Sequence, residues 1–129
     1  MEKPEFYVSR SELPHSEHFT FDELVASETA DRHGLKNEPP LAVMDNLQNL
    51  CYYLEVIRHR FGHPVKITSG YRCEELNRLV KGVPESKHIQ GLAADITSPY
   101  LLELNSVVKS LKLPYSYINL DKHYIHFNI

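Results

Sequence analysis

The chain has 129 residues, 42% of them apolar and 24% charged, with a net charge of −3. That length supports one domain around one core, and the composition is ordinary for a soluble globular protein. The slight acidity offers no electrostatic basis for nucleic acid or an anionic membrane as partner.

The opening stretch "MEKPEFYVSR" lacks the apolar centre of a signal peptide, and no apolar run reaches the length of about 18 residues that a membrane span needs. The expectation is a chain that is cytoplasmic as synthesised. Residues 1–15 read as an irregular lead-in to a single domain over 16–129. "HFTFDELVASETADRHG" reads as one helix, with Thr20 as cap, acids in the first turn and Gly34 as stop. "NEPP" is a connector whose prolines suit the start of the next helix. There Met44, Leu47, Leu50, Cys51, Leu54, Ile57 and Phe61 recur at spacings of three and four, up to Gly62. Cys51 falls on that stripe and reads as a small buried hydrophobe. It forms no C-x-x-C pair with Cys73, so neither a cysteine zinc site nor a disulfide scaffold is expected.

"PVKITSGYR" alternates like a short strand and turns into a short helix, "CEELNRLVKG". "VPESKHIQG" is a loop and "LAADITS" a buried strand. Pro99 opens a last helix through Leu111. "YSYINL" and "HYIHFNI", joined by "DK", read as a terminal β-hairpin. The fold class is α+β, helices first and a central antiparallel sheet later, with the helices packed on it.

Histidine is the outlier, at eight residues. Within "SKHIQGLAADI", His88 and Asp95 stand seven apart, with Gly91 to let the chain fold over and Ala93 and Ala94 to leave room beside a metal. Hydrolytic zinc takes about three protein ligands, mainly His nitrogen and carboxylate oxygen, and keeps one open position. His126, on the last strand, is the obvious third supplier and shares its face with Tyr124 and Asn128 by the period of two.

The set "SGYRCEELN", "SKHIQGLAADI" and terminal "YIH", with the early "HFTFDELVASETADRHGLKNEPP", resembles the peptidase M15 family. That family holds the zinc D-Ala-D-Ala carboxypeptidases and L-Ala-D-Glu endopeptidases, and the likeness is greatest to its small, phage endolysin-like members. The resemblance spans about residues 16–128. It implies a hedgehog/DD-peptidase-like fold, Zn²⁺ on His88, Asp95 and His126, and a peptidoglycan stem peptide as substrate. It also implies that Arg72 faces the cleft and binds substrate, a role a guanidinium fills by gripping a carboxylate or polarising a carbonyl. Tyr71 and Ser86 are the accompanying substrate-binding candidates. Members of the family carry an acid upstream of the last ligand, in many of them three residues before it. Here that position is His123, and the nearest acid is Asp121. Both remain candidates for proton transfer, Asp121 the preferred one and His123 alternatively an oxyanion stabiliser.

The resulting expectation is a monomeric zinc peptidase, delivered to the cell wall, where it cuts stem peptides. The competing expectations are a zinc domain that binds such a peptide or a protein partner without cutting it, and a structural domain whose histidines are incidental.

Overall fold

The computed structural model describes residues 13–129, so most of the lead-in expected over 1–15 lies outside the described residues. Helix α1 spans Phe21–Val25 and starts on a capping box in which Thr20 and Glu23 bond each other's backbone N–H. The single helix expected over 18–34 is in fact two. Ser27 supplies a second cap, accepting the Ala30 N–H, and Ala26 is extended, so the chain breaks and restarts as α2, Glu28–Arg32. Gly34, at φ 64°, makes the left-handed turn that leaves α2.

A 3-10 turn over Leu41–Val43 leads into α3, Met44–Phe61, as the spacing predicts. Its face of Leu47, Leu50, Cys51, Leu54 and Ile57 is wholly buried, and Gly62 ends it at φ 80°. Each such Leu or Ile contributes roughly 1.5–3 kcal/mol by leaving water. Burial also pushes the Cys51 thiol up to about 12, leaving it inert at neutral pH.

Strand β1 (Lys66–Ser69), helix α4 (Glu74–Leu79), strand β2 (Ala93–Thr97) and helix α5 (Leu101–Ser110) follow. The hairpin of β3 (Tyr115–Asn119) and β4 (Tyr124–Asn128) closes the chain. Its turn takes residues 120–123 rather than "DK" alone, and His123 belongs to that turn, at φ 58°, not to the strand.

The sheet has the order β1-β2-β4-β3, antiparallel throughout. Register sets Asp95 opposite His126 and Ser69 opposite Asp95. Side chains alternate between faces. Ala94, Ile96, Ile125 and Phe127 therefore pack with α3 and α5 in one core, while Ala93, Asp95, His126 and Asn128 share the opposite face. Of the two alanines expected beside a metal, only Ala93 is on that side; Ala94 belongs to the core.

Candidate metal centre

Asp95 rises from β2 in the middle of the sheet, and His126 stands beside it on β4. His88 comes from the loop that crosses this face. Short backbone bonds hold that loop: Ser86 Oγ accepts the His88 N–H at 3.2 Å, Lys87 O accepts the Leu92 N–H, and Asn46 on α3 donates to Gln90 O. Gly91 turns it back at φ 72°, where a side chain would also crowd Leu47.

One ligand atom each from His88, Asp95 and His126 falls within 4.8 Å of the others. Asp95 Oδ1 is 3.3 Å from His88 Nε2 and 2.8 Å from His126 Nδ1. The outer nitrogens are engaged elsewhere. His88 Nδ1 donates to Gly70 O at 2.7 Å, and His126 Nε2 donates to Asn128 Oδ1 at 2.7 Å. With those N–H groups directed outward, a ring that carries no second proton turns a lone pair toward the same carboxylate oxygen. Such lone pairs oppose one another unless a proton or a cation lies between them. Two imidazole nitrogens and a carboxylate, each ring steadied through its far nitrogen, are the donor set Zn²⁺ prefers. Asp95 is buried, which alone would raise its pKa, but with protons on the inner ring nitrogens in place of a metal, hydrogen bonds from His126 and His88 outweigh burial and hold it at about 2. Its carboxylate is charged at any physiological pH, as a ligand must be.

Arg72 borders the triad. Its Nη2 lies 3.4 Å from Asp95 Oδ2, its Nε donates to Ser69 Oγ at 3.0 Å and its Nη1 to Asn77 Oδ1 at 3.2 Å. Its backbone N–H bonds to His88 O, so the cation and the ligand loop are tied together. Burial lowers its pKa, opposed by Asp95 and then by the Tyr124 and Tyr117 phenols, and a guanidinium so placed stays charged.

Tyr117, opposite His126 on β3, stacks on its ring at 5.1 Å and 20°, and its hydroxyl meets that of Tyr124 at 3.1 Å. Burial and the Tyr124 contact raise the Tyr117 pKa, so it stays protonated.

Of the other sequence candidates, neither Asp121 nor His123 joins the triad. Tyr71 is buried in the core cluster, its N–H on Leu24 O and its carbonyl on Asn37. The Ser86 hydroxyl is occupied with the His88 N–H. His123 is held at the end of β2, its Nε2 on Ser98 O at 3.1 Å and its carbonyl on Thr97 Oγ1. Asp121 is exposed in the hairpin turn, lining a surface recess with Tyr117. Among the described residues, no acid beyond Asp95 joins the triad.

Sequence reasoning missed Gly70, Asn77 and Tyr117. It placed Asn128 on the right face without a role. Gly70 carries the clearest unused signal, because a glycine closing a strand often marks the close approach of another backbone. A Cβ there would overlap the Leu24 carbonyl oxygen.

The Peptidase M15 family model matches residues 17–128 of the chain. The match runs through every element that builds the triad, and the protein belongs to that family. A peptidase is therefore its broad functional class. No curated protein matches the chain.

Proposed function

We propose that the protein is a zinc-dependent peptidase that hydrolyses a peptide bond in peptidoglycan stem peptides at the cell wall. One observation carries this reading: two histidines, each steadied through its outer nitrogen, aim the inner one at Asp95 beside the half-buried cation of Arg72. Zn²⁺ held by His88, Asp95 and His126 would activate water and polarise the scissile carbonyl.

The chain's own residues do the rest. Arg72, fixed from two sides by Ser69 and Asn77, offers its cation to a substrate carboxylate or to the carbonyl oxygen as charge grows there. Tyr117 and Tyr124 wall the same face, and the Tyr117 phenol, its pKa raised by burial, can donate a hydrogen bond without ionising. Asp121 is the preferred group for passing a proton to the leaving amine, because it flanks Tyr117 at the mouth of the hairpin and is free of the contacts that hold His123 to Ser98.

A second reading, a zinc domain that binds a cell-wall peptide without cutting it, draws support from the triad's lack of an adjoining acid among the described residues. Mass spectrometry of peptidoglycan fragments incubated with the protein, with and without a chelator, separates the two. Chelator-sensitive loss of terminal alanine identifies a D-Ala-D-Ala carboxypeptidase. A cut between the first two stem residues identifies an L-Ala-D-Glu endopeptidase. Intact fragments beside zinc-loaded protein support the binding domain.

A further inference from the structure

Beside Arg72, and lined by none of the three triad residues, lies a cleft of about 500 Å³. One wall is the whole of β1, Lys66 to Ser69; the other is α2 with its Ser27 cap, including Thr29 and the terminal Arg32. β1 is an edge strand, paired with β2 on one side only, so its outer backbone groups face this space. The cleft is also charged. Lys66, Arg32 and Arg72 line it against the single acid Glu28. Lys66 and Arg32 are exposed and enter no ion pair among the described residues; Arg32 touches only the Thr29 hydroxyl, at 3.4 Å.

An open strand edge recognises an extended peptide through its backbone, and flanking side chains select its character. Four strand residues span about 13 Å, which matches a peptide of about four residues. Three cations to one acid select carboxylates. The cleft reaches the triad through shared residues, since Ser69 and Arg72 line it while Ser69 is the register partner of Asp95.

We propose that this cleft takes an extended, carboxylate-bearing segment of the peptide substrate, added as a strand along β1 with its acids on Lys66 and Arg32. The inference rests on the peptidase reading and adds to it the place where the uncut part of the substrate lies. It favours stem peptides with free side-chain or terminal carboxylates over amidated ones.

The test uses a synthetic stem tetrapeptide and the same peptide with its carboxylates amidated. Binding is followed through backbone amide shifts of the full chain, with chelator present to prevent turnover. The free-acid peptide is expected to shift amides of residues 66–69 and 29–32, and to bind roughly three- to tenfold tighter than the amidated form. Lys66→Gln with Arg32→Gln should erase that difference, and in the zinc-loaded protein should raise KM rather than lower kcat. Equal binding of the two peptides, or shifts confined to the surroundings of His88, Asp95 and His126, would overturn the proposal. Hydrolysis of both peptides with equal affinity would defeat the cleft and leave the peptidase standing. Binding along β1 with no hydrolysis by zinc-loaded protein would do the reverse.

Discussion

His88 and His126 solve the same problem differently. To hold a metal as proposed, each must present a ring nitrogen free of its proton toward Asp95. His88 does so by donating to a backbone carbonyl, Gly70 O, and His126 by donating to a side chain two residues along its own strand, Asn128. The second arrangement is easily tested without touching a ligand. Asn128→Ala removes the acceptor that orients His126, and loss of such a support typically costs about 10- to 100-fold in metal affinity or activity. A zinc-competition titration should show that loss, with the circular dichroism of the fold unchanged. Asp121→Asn separates another pair of roles. The variant should bind zinc as the parent does and lose turnover by at least about 100-fold if its carboxylate moves the proton. Full activity in that variant would pass the role to another group, with His123 the next to examine. The Asp121 and His123 question stayed open in the sequence because it turns on where a short turn points its side chains. Spacing along a strand does not describe a four-residue turn with a left-handed residue in it.

The elements were unevenly readable. Helix α3 was plain because an apolar stripe at helical spacing and a terminal glycine both act within one segment. The break between α1 and α2 was not, because Ser27 reads equally well inside a helix or as the start of a new one, and only the cap bond to Ala30 decides. The sheet order was hidden for a different reason. Pairing of β2 with β4, across a helix and a strand, is set by packing on α3 and α5 rather than by any local signal. That pairing is what brings Asp95 to His126. The junction of β1 with α4 shows how closely element and site are joined. Gly70 lies against Leu24 of α1, and its carbonyl anchors His88. Gly70→Ala would push a methyl into the Leu24 backbone, where no flexible side chain can yield. We expect a loss of about 2–3 kcal/mol in stability, read by denaturant unfolding, together with weakened zinc binding as Gly70 O shifts from His88. A variant as stable as the parent, with unchanged zinc affinity, would contradict this coupling.

The molecule as a whole divides its sheet between two tasks. One face is sealed by α3 and α5 over Ala94, Ile96, Ile125 and Phe127. The other gathers residues from four separate stretches of chain, at positions 72, 88, 95 and 126, into one charged site. The sequence already carried the candidate ligands, and the fold adds the reason they converge: a central strand bearing Asp95, a neighbour bearing His126, and a loop tied to Arg72 that lowers His88 onto both. Among the described residues, no helix is long and apolar enough to cross a membrane. If the triad is the working centre, activity must follow metal occupancy. Protein stripped by a chelator should be titrated with Zn²⁺ while hydrolysis of a stem peptide is recorded. The metal assignment predicts no turnover at the start, a linear rise, and a plateau at one zinc per chain. Turnover that survives complete removal of metal, or none at full zinc occupancy, would contradict it.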